Sequence, residues 1–309
     1  MRRGVLVGCA VLVAACGQGS TADRGQQQEG LEVSNRNEPP MGGIHWARGQ
    51  APAAKPTKSP NLIYHGGPVM TSGAYVEPIF WGTRWNDASF VADKISGMQL
   101  FYSTVGGSSY EATDTEYTDA SGAHVGTSVT LGPTHVDLST AASNGNRTSV
   151  ILAEACAQAT TLVENGYYPV YVDTPRGHAG FCAWHSAGTC PNGTTIQFGF
   201  FFNLDGDPGC DPEDASGLHS QGTAALGNVS GHELSETLTD QHLDAWYDAS
   251  GAENSDKCAW AFGTDLLTFK KPSSQWKVQG NWSNAAFNAG TGYPNRSGQN
   301  GCIDGGNFL

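Results

Sequence analysis

The cysteines in the second half of the chain constrain its fold more than any other feature of the sequence. The chain has eight cysteines, and two of them, Cys9 and Cys16, lie in an N-terminal segment with the pattern of an export signal. An even number of cysteines in the rest of an exported chain predicts a framework of disulfide bonds. The cysteines of this framework are Cys156, Cys182, Cys190, Cys210, Cys258 and Cys302.

Six cysteines allow fifteen connectivities, so the sequence gives weight only to the pair that is closest along the chain. The pair Cys182–Cys190 flanks a loop that contains glycine and is therefore favoured. The pair Cys258–Cys302 would tie the C-terminal tail to the body, which leaves Cys156–Cys210. Zinc held by cysteines is not favoured, because the sequence has no CxxC spacing.

The N-terminal residues indicate export and lipid attachment. Two arginines precede a short apolar run, Gly4–Val13, which is too short to span a bilayer as a helix. The next residues, Ala14-Ala15-Cys16, resemble the lipobox of bacterial lipoproteins, in which cleavage precedes a lipidated cysteine. The alternative is an ordinary secretory signal with a chance cysteine.

These features divide the chain into three parts. We expect residues 1–15 to be a signal peptide. Residues 16–58, rich in Gln, Gly, Ser, Asn and Pro, would be a lipidated N-terminus and flexible linker. The domain of residues 59–309 would then be extracytoplasmic, and the lipid alone would anchor it to a bacterial membrane, at the outer membrane or the cell surface.

Composition limits both the fold class and the partners. With 41 glycines, 15 prolines and only 15% charged residues, the chain does not suit a coiled coil or a helical bundle. The formal net charge of −13 disfavours nucleic acid as a partner and suits cations.

Strand and helix patterns alternate along the predicted domain. We therefore predict a single α/β (mixed α+β) domain with a mixed sheet, two or three main helices and a loop-rich C-terminal part tied by a disulfide. Strands are expected over Asn61–Met70, Tyr75–Trp81, Tyr168–Asp173 and Thr194–Phe202, and a strand or hairpin is expected over His124–Leu138. Helices are expected over Ala88–Ser103, Thr148–Asn165 and the second half of Ser216–Asp240.

One helical segment carries an HExxE motif that suits metal chemistry. His232 and Glu236 are four residues apart, so they share one face of the helix, and Asp240 continues that face. The motif resembles the HExxH of zinc proteases, in which two histidines hold the metal and the first glutamate is the base. A carboxylate in place of the second histidine is acceptable to Zn²⁺, although it moves the preference toward calcium or manganese. We therefore predict a zincin-like site with His232 and Glu236 as ligands and Glu233 as general base.

Two acidic residues downstream, Glu253 and Asp256, are the candidates for the remaining metal ligand. A turn before them could fold back onto the helix, and Cys258, if it is in a disulfide, would hold that segment. The alternative is that His232 caps or packs the helix and that the acidic residues are solvated.

Three further features are ambiguous. Alternate oxygen donors at Asn203, Asp205 and Asp207 resemble the start of a Ca²⁺ loop, and the alternative is an exposed acidic turn held by a disulfide. His185 is a candidate catalytic proton donor or an ordinary surface histidine. Six tryptophans could stack on sugars or belong to the core or its rim: Trp81, Trp85, Trp246, Trp260, Trp276 and Trp282.

Several blocks resemble the EXORDIUM, or phosphate-induced protein 1, family, and most of all its bacterial secreted members. These blocks are Tyr64–Val69, Glu77–Gly82, the HExxE segment with Thr239 and Asp240, and Ala245–Tyr247 with Cys258. The resemblance covers about residues 61–302, and it departs from the family at Gln241, where members usually have proline. It implies export and the extent of the domain, and the plant members are apoplastic and linked to growth.

Two functions of different classes remain open. The first is an exported, lipid-anchored, metal-dependent hydrolase similar to zinc metallopeptidases, acting on a peptide or cell-wall substrate. The second is a non-catalytic extracellular protein that binds carbohydrate or cell wall and holds a structural cation. An open coordination position beside Glu233 would favour catalysis, and a closed site would favour structure.

Overall fold

A computed structural model describes Met1 and residues 38–52 and 59–309. Residues 2–15 of the predicted signal peptide, the lipidation site Cys16 and the linker residues 17–37 and 53–58 lie outside the described residues. The described residues from Glu38 onward belong to one unit.

Short and long strands alternate with a few helices. The strands are β1 (Gly42–Trp46), β2 (Ile63–Tyr64), β3 (Ala74–Val76), β4 (Ile79–Trp81), β5 (Val129–Leu131), β6 (His135–Asp137), β7 (Gly166–Pro175), β8 (Phe181–Thr189), β9 (Thr195–Asn203), β10 (Trp246–Tyr247), β11 (Leu267–Thr268), β12 (Gln275–Trp276), β13 (Asn281–Trp282), β14 (Tyr293–Pro294) and β15 (Asn300–Ile303). The α-helices are α1 (Ala88–Val91), α2 (Lys94–Val105), α3 (Thr148–Gln158), α4 (Gln221–Thr239), α5 (Asn254–Lys257) and α6 (Asn284–Ala289). Turns of 3-10 helix cover Thr83–Asn86 and Glu111–Glu116.

A mixed sheet forms the centre of the fold. Its order is β1-β8-β9-β7-β3-β5, and β4 pairs with both β7 and β6. Strand β7 is parallel to β3, β4 and β9, whereas β8 is antiparallel to β9 and to β1. Pro78, which has no N–H to donate to a ladder, separates β3 from β4. The prediction of a mixed α/β fold with a mixed sheet and few helices is confirmed.

Side chains of β7 show that helices cover both faces of the sheet. The Tyr171 hydroxyl lies 2.8 Å from the hydroxyls of Tyr102 on α2 and Ser230 on α4. Tyr168 points to the opposite face, because successive strand residues alternate, and its hydroxyl donates to the carbonyl of Thr161, just beyond α3. Helix α4 therefore lies with α2 on one face, and α3 covers the other.

Several segments differ from the sequence predictions. Residues 42–46 form the edge strand β1, so the prediction of a flexible linker up to residue 58 is wrong there. Residues 181–189 form β8, where a loop was expected. The strand predicted over Asn61–Met70 is limited to Ile63–Tyr64. The helix predicted up to Asn165 ends at Gln158.

The early end of α3 has a structural cause in Glu77. This side chain is buried, and it accepts hydrogen bonds from the backbone N–H groups of Thr160 at 2.8 Å and Thr161 at 3.1 Å. It also accepts from the Tyr75 hydroxyl and from His135 Nε2, each at 2.7 Å. Glu77 thus fixes the loop after α3 against the sheet, which is a structural role for a residue of the EPIFWG block.

The disulfides are Cys156–Cys190, Cys182–Cys210 and Cys258–Cys302. The predicted pair Cys258–Cys302 is confirmed, but the predicted pairs Cys182–Cys190 and Cys156–Cys210 are wrong. Strand β8 separates Cys182 from Cys190, and extended chain at about 3.3 Å per residue places them roughly 26 Å apart. Bridged cysteines need Cα atoms within about 7 Å.

The disulfides also bear on the location of the protein. Bonds of this kind form and persist in oxidising, extracellular compartments. Among the described residues, no helix combines the length and apolar character needed to cross a bilayer.

Candidate metal centre

Helix α4 carries the HExxE motif through the interior of the protein. Its residues from Gly222 to Thr239 are all buried, and the Ser220 side chain caps its N-terminus by accepting from the Thr223 N–H. Gly227 allows the Trp276 ring to pack closely, since a Cβ atom there would lie 2.4 Å from the ring. Polar side chains on a helix buried in this way need partners, because burying them unpaired is costly.

The motif residues meet a histidine from the sheet. Nε2 of His232 lies 3.1 Å from Oε2 of Glu236, as expected for residues on one helix face. Nε2 of His185, on β8, lies 3.8 Å from the same oxygen. His185 is only 1% exposed, so it is neither a surface histidine nor a group that faces an open cleft.

The two predicted downstream residues complete this cluster from the start of α5. Glu253 Oε2 lies 3.3 Å from His185 Nε2, and Asp256 Oδ1 lies 3.6 Å from His232 Nε2. Glu253 and Asp256 form a capping box at this helix. The Asp256 N–H donates to Glu236 Oε1 at 2.8 Å, which leaves Oε2 free for the centre.

Strand β1 contributes two residues that the sequence analysis missed. The Gly43 N–H donates to Glu253 Oε1 at 3.0 Å, and a Cβ atom at Gly43 would lie 2.1 Å from Glu236 Oε2. The His45 ring is buried, with its centroid 4.3 Å from that of His232. The sequence signal for this strand is a Gly-Gly pair followed by an apolar residue and His45. It was missed because the surrounding residues have the polar composition of a linker.

The donor atoms have the spacing of metal ligands. Four ligands at about 2.0–2.1 Å from a tetrahedral zinc ion lie about 3.3 Å from one another. The separations between the histidine nitrogens and the neighbouring carboxylate oxygens are 3.1, 3.3, 3.6 and 3.8 Å. The potential ligand atoms lie within 4.8 Å of one another in two groups that share Glu236, one with His232 and Asp256 and the other with His185 and Glu233, and each group fits a divalent cation.

Several of these atoms are buried without an aligned hydrogen-bond partner. Among the described residues this holds for Nε2 of His232, Oε2 of Glu236 and both carboxylate oxygens of Glu233. Glu233 also belongs, with His185 and Glu236, to a group whose potential ligand atoms lie within 4.8 Å of one another. Unpaired buried polar atoms are rare in proteins, and a bound cation would satisfy them.

The electrostatics of the cluster favour a cation in the same way. Burial lowers the pKa of His185 and of His232 to about 3, so both are neutral at pH 7, the form that binds metals. Burial, reinforced by nearby carboxylates, raises the pKa of Glu233 and of Glu236 well above the usual range. Within the described part of the chain, the ion pairs of Glu236, Glu253 and Asp256 involve histidines and neither lysine nor arginine.

Other candidate residues lie outside this centre. Asp205 pairs with Lys94 at 2.7 Å, and Asp207 pairs with Arg176 at 2.6 Å. These separate pairings favour the acidic turn over the Ca²⁺ loop, and the turn is held by the Cys182–Cys210 disulfide. Asp240 Oδ1 accepts from the Ala245 N–H at 2.6 Å and so holds the turn after α4.

Most of the tryptophans proposed to stack on sugars belong to the core. Five of the six are at most 8% exposed: Trp81, Trp85, Trp260, Trp276 and Trp282. Only Trp246 is partly exposed, and it packs beside Tyr64.

Comparison of the chain with family models, with curated proteins and with solved structures finds no match. The resemblance to the EXORDIUM family therefore stays a prediction, and function has to be inferred from the centre itself.

Proposed function

We propose that the protein is an exported, metal-dependent hydrolase with a zincin-like site that cleaves peptide bonds. The observation that carries the proposal is the buried cluster in which His232 Nε2 and Glu236 Oε2 lie 3.1 Å apart without an aligned hydrogen bond, beside the unpaired carboxylate of Glu233. The likeness of HExxE to the HExxH motif of proteases supports a peptide as the substrate.

Each residue has a role in this proposal. His232 and Glu236 would hold the ion, and Glu253 or Asp256 would complete the ligand set, with Asp256 in the same group of potential ligand atoms as the first two. A divalent cation at this place would polarise a water molecule and the carbonyl of the substrate. His185 lies in a separate group with Glu233 and Glu236, so it stays the candidate proton donor and not a fellow ligand of His232.

Glu233 would take the proton from the attacking water. Its carboxylate is next to the ligands and has no hydrogen-bond partner among the described residues, as expected of a base that awaits a water molecule. The Asp256 side chain is 20% exposed and is the most accessible member of the cluster, so substrate would approach from that side.

A second candidate is a non-catalytic protein with a structural cation. The closure of the site favours it, because His232, Glu233 and Glu236 are fully buried, and closed sites are typical of structural metals. Carbohydrate binding gains no support from the tryptophans, since most of them are in the core.

Two variants separate these candidates. With casein or a peptide library as substrate, Glu233→Gln should keep the metal and lose about 10²–10⁴-fold in rate, because glutamine cannot accept the proton. Glu236→Gln should lose the metal, because it removes a charged ligand. The exposed Glu213, at 74%, gives a control, and Glu213→Gln should change neither. If the wild type binds one metal ion per chain but neither it nor its variants cleave the substrate, the structural cation is favoured. Full activity of Glu233→Gln would exclude Glu233 as the base.

A further inference from the structure

Gln279 is a buried amide that links two histidines of the centre. It is fully buried, in the chain between β12 and β13. Its Oε1 accepts from the Trp260 N–H at 3.2 Å, and its Nε2 donates to the Ser255 carbonyl at 2.9 Å. A backbone N–H can only donate and a carbonyl can only accept, so these two contacts fix which way the amide faces.

This orientation determines where the two histidines carry their protons. Gln279 Nε2 lies 2.9 Å from Nδ1 of His232, and an amide nitrogen can only donate. Nδ1 of neutral His232 is therefore the acceptor, and its ring proton is on Nε2. In the same way, Gln279 Oε1 can only accept, so His45 Nε2, at 3.0 Å, donates to it.

The proton on His232 is then on the nitrogen that faces the centre. Nε2 is the atom 3.1 Å from Glu236 Oε2 and 3.6 Å from Asp256 Oδ1. A nitrogen that carries a proton cannot bind a metal ion. Ligating histidines usually donate their other N–H to a carboxylate, a carbonyl or water, and here an amide NH₂ occupies that position.

We propose that Gln279 is a positioning residue that holds metal-free His232 in the tautomer with the proton on Nε2, so that the amide opposes metal binding until it rotates and the proton moves to Nδ1. Trp260, which supplies the N–H that orients the amide, has a φ of +60°, a conformation that is costly for a large side chain. Only the consequence for metal affinity depends on the proposed function; the tautomer does not.

Nuclear magnetic resonance of the metal-free full-length protein, labelled with ¹⁵N in histidine, tests the proposal at a fixed neutral pH. Long-range ¹H–¹⁵N correlations identify which ring nitrogen carries the proton, and His232→Ala assigns the signal. We expect the proton on Nε2 in the wild type. In Gln279→Glu we expect it on Nδ1, because a carboxylate accepts from that position. Gln299→Glu, which adds a carboxylate at an exposed site, should leave the His232 signal unchanged.

Zinc competition with a chromophoric chelator gives the second readout. Gln279→Glu should bind Zn²⁺ about 10–100-fold more tightly than the wild type. A wild-type His232 with its proton on Nδ1 would overturn the proposal, even if Gln279→Glu does not fold. A folded Gln279→Glu with an unchanged tautomer would overturn it as well. Tautomers as expected, with no zinc bound by either protein, would uphold the role of Gln279 and contradict the proposed hydrolase.

Discussion

Alanine at Gly43 would place a methyl group inside the candidate metal centre. Gly43 has a φ of +43°, and an L-residue in the left-handed region costs about 1–2 kcal/mol. The new Cβ atom would lie 2.1 Å from Glu236 Oε2 and 2.4 Å from His185 Nε2, so both side chains must move by about 1 Å. Overpacking of this kind costs about 1–3 kcal/mol. Gly43→Ala should therefore lower the free energy of unfolding by about 2–5 kcal/mol and weaken zinc binding.

Gly49 provides a matched control on the same segment of the chain. It has a φ of +74°, but no atom lies within 4 Å of the position of its Cβ. Gly49→Ala should therefore show only the backbone cost of about 1–2 kcal/mol and keep zinc affinity. Urea unfolding and zinc competition on both variants measure the difference. Equal stability and equal zinc affinity of the two variants would refute the placement of β1 against the centre.

Three further predictions concern the rest of the molecule. Burial raises the pKa of Glu111 from 4.5 to about 8, so the folded protein holds this proton more tightly than the unfolded chain. The stability that the bound proton contributes is therefore lost as the pH rises from 4.5 to about 8. Glu111→Gln stays neutral at every pH. The free energy of unfolding of this variant minus that of the wild type should therefore increase by up to about 1.4 kcal/mol per pH unit from pH 5 to 8. A difference that stays constant with pH in urea unfolding would contradict this. Glu77→Gln should destabilise by about 1.5–3 kcal/mol, because it removes a charged acceptor from the loop after α3; a melting temperature equal to that of the wild type would contradict it. Cys16→Ser should move the protein from the membrane fraction to the soluble fraction on cell fractionation, and a wild type that is already soluble would exclude the lipid anchor.

The sequence predicted the elements whose signals are local. The spacing of His232 and Glu236 was sufficient to place both on one face of α4, and the alternation of strand and helix patterns was sufficient for the mixed α/β class. Glu253 and Asp256 were also identified, because acidic residues after a turn in an otherwise weakly charged chain are conspicuous.

The missed features depend on contacts between distant parts of the chain. His185 was expected in a small disulfide loop, yet β8 extends through that segment and carries it into the centre. Gly43 and His45 lie in a segment whose composition is that of a linker, and only pairing with β8 makes it a strand. Gln279 carries no motif at all, and its role arises from its contacts with Trp260, Ser255 and two histidines.

Metal analysis of the protein purified without chelator tests the central claim most directly. The wild type should contain about one divalent cation per chain, and His232→Ala should contain almost none while remaining folded. His65 stacks on Tyr247 and belongs to neither group of potential ligands, so His65→Ala should keep the wild-type metal content. A folded wild type without metal at neutral pH, or a His232→Ala variant that keeps its full metal content, would contradict the assignment of this cluster as a metal centre.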